Sequence, residues 1–276
     1  MYGKIKIMTA HLVAMVVLSV GLAVNVWAVD GVIEINQARA LAGGVTPGDD
    51  PGFPVTISQP GSYRLTGNLT TGAANTHGIN IIVENVTIDL NGFAISGPTI
   101  CVGVPLVCNP PHFGNGISGQ VSHVSVFNGF VRGMSYGVAL GSNGLVQKIH
   151  ATSNSSAGII TGAGSIVKYN TSDHNGNGIH GEGIIVNNSV MSNSNIGINA
   201  RGTIAGNSVD WNHNIGIYAN SSLVIGNSVS NNASYGIYIV GGGYGDNVLF
   251  HNNNDGSQVV GGVKIGTNVC NGTVCP

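Results

Sequence analysis

From Gly116 onward the chain repeats a glycine followed by an aliphatic residue: Gly116-Ile117, Gly137-Val138, Gly158-Ile159, Gly178-Ile179, Gly197-Ile198, Gly216-Ile217 and Gly236-Ile237. By subtraction the pairs lie 21, 21, 20, 19, 19 and 20 residues apart. Two asparagine columns keep the same drifting period: Asn170, Asn188, Asn207, Asn227, Asn247, and Asn154, Asn175, Asn193, Asn212, Asn232, Asn252. Within each unit apolar and small polar residues alternate over short stretches, as in Ile204-Ala205-Gly206-Asn207-Ser208-Val209-Asp210. That is the period-two pattern of short strands. A helix needs a longer run free of glycine than any repeat offers. Repeats of this length signal stacked units, none of which buries a face alone.

Stacked coils would lie about 4.8 Å apart, bringing equivalent positions directly over one another. The inward columns then become aliphatic: Val167, Ile185, Ile204, Val224; Val190, Val209, Val229, Leu249; and Ile159, Ile179, Ile198, Ile217, Ile237. The asparagines suit both sharp turns, because Asn tolerates left-handed backbone, and amide stacking along the axis. The repeat predicts an all-β solenoid of about eight to nine coils.

The ends and one interruption depart from the repeat. Glu34 to Ala42 predicts a short capping helix with Ile35, Ala38, Leu41 and Ala42 on one side, a lid of the kind that solenoid ends require. The expected layout is a cap with irregular first coils over 29–75 and a β-helix over 76–269. A Pro-rich excursion at 98–115 interrupts it, and 270–276 form the closed end. Cysteines occur as two close pairs, Cys101 with Cys108 and Cys270 with Cys275. In an oxidising compartment such pairs read as disulfides.

Composition narrows the function. Among 276 residues charged ones make up only 7%, with 9 Lys+Arg against 11 Asp+Glu. No basic surplus invites nucleic acid. Lys4 and Lys6, the apolar run of residues 7–26 and the small residues around Trp27 predict a signal peptide over 1–28. The mature chain is then expected to be secreted or periplasmic, and no later apolar run is long enough to span a bilayer.

The run of Asn, a short aliphatic strand, Asn-Asn or His-Asn and then Gly-Ile-Tyr is seen at Asn207-Ser208-Val209 through Asn212-His213-Asn214-Ile215-Gly216-Ile217-Tyr218. It resembles the right-handed parallel β-helix family with pectin-lyase-like topology, in its branch of carbohydrate-binding and sugar-hydrolysis repeats. The stretches 46–57 and 86–93 resemble a group of exported bacterial β-helix proteins without assigned activity. The resemblance covers about residues 30–276. It implies a single-stranded right-handed β-helix and leaves the activity open, because one fold hosts many functions.

Outward positions supply the candidate chemistry. Two residues after each repeated glycine the chain reads Ala139, Ile160, His180, Asn199, Tyr218, Tyr238; two further on it reads Gly141, Gly162, Glu182, Arg201, Asn220, Val240. Tyrosines beside amides suit a sugar, a ring covering the pyranose face while amides reach its hydroxyls. Asn199, Tyr218, Asn220 and Tyr238 are therefore the candidate glycan-binding residues for a polysaccharide or surface glycan. Were the chain an enzyme, His180 or Tyr218 would be the base and Arg201 the partner of a uronate carboxylate, with Glu182 modulating. The reaction would be that of a polysaccharide lyase, hydrolase or epimerase. The clustered acids of lyases and hydrolases in that family are missing, Asp49-Asp50 being the only adjacent pair. A third possibility is a structural or adhesive rod that self-associates. A second polar cluster gathers Asp173, His174, Asp210, Trp211, His213 and His251. Its register spreads the acids too far apart for one ion, and neither metal nor cofactor is expected.

Overall fold

A computed structural model describes residues 31–103, 106–111 and 113–275. The predicted signal segment 1–28 lies outside the described residues. The repeat folds as a parallel β-solenoid with three strand faces per coil. On the first face Val55, Ile79, Ile117, Val138, Ile159, Ile179, Ile198, Ile217, Ile237 and Val259 stand in one register line. On the second, Ile33, Tyr63, Ile88, Val126, Val146, Val167, Ile185, Ile204, Val224, Tyr244 and Lys264 do the same. The third runs Leu69, Ile95, Val131, Ala151, Ser172, Val190, Val209, Val229, Leu249, Cys270.

The solenoid therefore has about 11 coils, more than the eight to nine expected. Two added coils come from the N-terminal strands Val32–Ile35, Val55–Ile57 and Gly61–Leu65. They pair in the same way without carrying the Gly-aliphatic or Asn signature. The core is the aliphatic stack itself, with Ile79, Ile117, Val146, Ile198 and Val229 fully enclosed.

Two amide ladders brace this stack. Asn154, Asn175, Asn193, Asn212, Asn232 and Asn252 each donate Nδ2 to the next residue's side-chain oxygen at 2.8–3.2 Å, the last link ending on Gln258. Asn170, Asn188, Asn207, Asn227 and Asn247 do the same at 3.0 Å, ending on Asn268. These side chains are buried, and the ladders satisfy them. The turn role expected of them falls instead to the preceding residue. Left-handed backbone occurs at Ser153, His174, Ser192, Trp211, Asn231 and His251, and at Tyr169, Asn187, Gly206, Gly226 and Asp246. The ladder asparagine itself stays out of the left-handed region, and its backbone N–H donates to the side-chain oxygen of the next ladder residue.

The repeated glycine has a steric cause. A methyl carbon on Gly216 would lie 2.7 Å from Asn232 Nδ2, Gly236 O and Val229 Cγ1. Gly197 and Gly178 are confined by the same kinds of neighbour one and two coils earlier. Close approach of the ladder to the backbone thus excludes any side chain there.

The cap differs from the expected helix in length and face. Glu34 and Ile35 belong to the first strand, and the helix is Gln37–Ala42. Asn36 caps it by accepting the Arg39 N–H at 3.0 Å. Leu41 is 56% exposed, so Ala40 and Val45 close the end, joined to the buried cluster. Asp49 ties the following loop by accepting the N–H groups of Val45 and Thr56. At the other end Cys270 and Cys275 form a disulfide across the antiparallel pair Val269–Cys270 and Thr273–Val274. No helix among the described residues is long and apolar enough to cross a membrane.

Candidate functional site

The excursion at 98–115 is an antiparallel hairpin, Ile100–Val102 against Val107–Asn109, with Cys101 opposite Cys108 and joined to it by a disulfide. It leaves the solenoid where the Thr99 N–H bonds to Gly133 O, and its far end is tied where the Leu106 N–H donates to Ser194 Oγ at 3.0 Å. Gly133, Ser153, His174 and Ser192 follow one register line, so Ser194, two residues beyond Ser192, lies three coil steps on from Gly133. The hairpin is therefore a strap along the axis of roughly 14 Å. Between it and the first face lies a groove of about 410 Å³, lined among others by Leu106, Tyr136, Ile160, Asn177, His180 and Ser194. The excursion thus builds a wall, which spacing alone could not reveal.

The first outward ribbon is continuous. Ala139, Ile160, His180, Asn199, Tyr218 and Tyr238 stand in one register line, so the groove leads along the strands' outer side toward the tyrosines. The Tyr218 and Tyr238 rings lie parallel, 5.5 Å apart at 6°. Tyr235 tilts against Tyr238 at 5.9 Å. Beside the ribbon runs an outer amide row, Asn195 donating to Asn177 at 3.0 Å and Asn214 to Asn195 at 2.8 Å. The row begins on the groove wall and runs toward Tyr235, whose neighbour Ser234 bonds to Asn214 O. The sequence reading named neither the amide row nor Tyr136 and Tyr235. The spacing of Asn177, Asn195 and Asn214 carried the signal for that row.

The second ribbon is interrupted. Glu182 and Arg201 are in register and both exposed, and among the described residues no ion pair joins them. Between Ala200 and Thr203 the register shifts. Arg201 consequently has no in-line partner in the next coil, while Asn220 pairs with Val240. The bulge belongs to the tight turn at Gly202 and Ser221, both with positive φ. His180 and Tyr218 share a line with Asn199 between them, two coil steps or roughly 10 Å apart. His180, Glu182, Arg201 and Tyr218 thus spread over three coils.

The second polar cluster also divides. Asp173 holds His150 at 2.8 Å and His174 at 3.4 Å. Asp210 accepts from Ser230 Oγ and Asn231 Nδ2, and His251 pairs with Asp255. His150 was missed because its strand carries no repeat signature. Among the described residues no three His, Cys, Asp or Glu side chains group as metal ligands.

No family model matches the chain. No curated protein matches it in sequence. Among solved structures it is similar to the Dettilon tailspike protein (gp208), with a TM-score of 0.53 and 16% identity over 79% of this chain and 51% of that one. The chain therefore spans about half the length of that protein. The likeness is one of fold, and with the strand register it defines the chain as a parallel β-solenoid.

Proposed function

We propose that this chain is an exported, non-catalytic β-solenoid that recognises polysaccharide or a cell-surface glycan along its first face. The observation that carries the reading is the parallel pair Tyr218 and Tyr238, with Tyr235 beside it, on the register line that leaves the strap-walled groove at His180 and passes through Asn199. Flat rings offer apolar area at low entropic cost, and Asn199 with the Asn177–Asn195–Asn214 row supplies donors and acceptors for hydroxyls. Two disulfides support an oxidising compartment, in keeping with the secreted or periplasmic site that the leader segment predicts. The similar solved structure is named as a tailspike; that likeness supplies the fold, and glycan recognition by this chain is part of the same proposal. So is the right-handed, pectin-lyase-like winding.

A second reading, turnover of a uronate-containing polymer, is favoured by Glu182 and Arg201 standing in register two residues beyond His180 and Asn199. One experiment separates recognition from lyase chemistry: a polysaccharide pull-down with absorbance of unsaturated uronate product followed in the same wells, while hydrolysis and epimerisation are read separately by reducing-end and uronate-composition assays. Retention of a polysaccharide without product supports recognition. Unsaturated product that disappears in Arg201→Ala would replace it with lyase chemistry.

A further inference from the structure

A second groove, of about 340 Å³, lies at the corner between the second and third faces. Its walls include Asn128, Phe130, Lys148, His150 and Tyr169. Phe130 and His150 face each other at 5.7 Å between ring centroids.

The backbone marks this corner. One turn position runs in register through Asn128, Lys148, Tyr169, Asn187, Gly206, Gly226 and Asp246, all with φ between 52° and 64°. Asn, Gly and Asp adopt that left-handed conformation at low cost; Lys and Tyr do so against steric resistance. Backbone strain held in this way tends to accompany function. The other turn column also admits large residues, such as Trp211 and His251. What distinguishes Lys148 and Tyr169 is that they occupy adjacent coils and line one groove with two further rings.

Charge is scarce in this chain, so its placement is informative. Lys148 has no ion-pair or hydrogen-bond partner among the described residues, and Lys168 stands in register with the adjacent Gln147. The nearby acids are engaged: Asp89 by Asn128 at 3.3 Å and by Arg64 at 3.7 Å, Asp173 by His150 and His174. Tyr169 is 56% exposed and Phe130 44%, open apolar faces beside an uncommitted cation.

We propose that this corner groove binds a sugar unit bearing a negatively charged substituent, with Tyr169 and Phe130 against the ring and Lys148 on the charge. The proposal does not rest on the first-face reading, because the two sites share no residue.

The test is calorimetric titration of the full chain with tetragalacturonate, a heparin-derived sulfated disaccharide and neutral maltotetraose. The first two probes distinguish carboxylate from sulfate. At least one acidic probe is expected to bind tenfold or more tightly than maltotetraose. Lys148→Asn and Tyr169→Asn install a residue type that neighbouring coils already carry. Each should weaken that binding tenfold or more while the melting temperature holds or rises, and a Tyr218→Ala/Tyr238→Ala variant should bind as the parent does. No binding of either acidic probe, equal binding of maltotetraose, unaltered affinity in both corner variants, or loss confined to the first-face variant would each overturn the proposal. A lower melting temperature accompanying the loss would likewise assign both residues to the fold.

Discussion

At the residue scale, single side chains divide into those that hold the coil stack and those it displays. Asn212 is one of the first kind. Its Oδ1 accepts the Asn193 N–H and Nδ2, and its Nδ2 donates to Asn232 Oδ1 and Val190 O. Asn212→Ala strands several of these buried groups, each at a cost of about 1–3 kcal/mol. Denaturant unfolding should show a loss of at least that size, whereas Asn214→Ala, in the half-buried outer row, should cost clearly less. Asp173 gives a pH signature. Burial alone would raise its pKa, but hydrogen bonds from Thr152, His150 and His174 together with the His150 charge outweigh it and hold the carboxyl below its ordinary 3.8. A depressed folded pKa contributes stability that is present above the unfolded value and lost as pH falls through the folded one. Melting curves of the parent and Asp173→Asn should therefore differ most above pH 3.8 and converge at lower pH.

At the element scale, the coil is defined by what cannot fit within it. Gly216→Ala would press a methyl against the ladder amide and the next coil's carbonyl, all at 2.7 Å. Overpacking of this kind costs about 1–3 kcal/mol. Thermal unfolding should show it, while an alanine at the open turn of Gly226 should cost less, through its φ of 64° alone. The strap predicts a different separation. Cys101→Ser/Cys108→Ser should leave the solenoid's melting temperature close to the parent's, since the hairpin adds no layer to the aliphatic stack, but should weaken retention on polysaccharide by loosening the groove wall. The repeating coils were legible in the sequence because close packing repeats there: the Gly-Ile pairs and both ladders recur in register as spaced. The N-terminal coils were legible only as irregular ones, because Val55, Ile57 and Tyr63 fill the same inward sites without a glycine or asparagine column beside them. The groove was legible only in part. His180 and the tyrosines follow from the period, whereas the strap's reach to Ser194 is a contact over 88 residues that no local pattern encodes.

At the scale of the whole molecule, the solenoid turns a short sequence period into long parallel rows of identical orientation. One row carries tyrosines, one amides, and one corner an unpaired lysine between rings. Such rows suit extended ligands, since successive units of a polymer meet successive coils about 4.8 Å apart. Binding then gains from each added unit, so affinity should rise steeply with oligosaccharide length until the row is covered. The most direct measurement is a glycan array probed in parallel with the parent chain and with Tyr218→Ala/Tyr238→Ala. The account predicts that the parent retains a defined set of polysaccharides and that the double variant, folded to the same melting temperature, loses them by tenfold or more. An array silent for the parent, or bound equally by both proteins, would contradict glycan recognition along the first face.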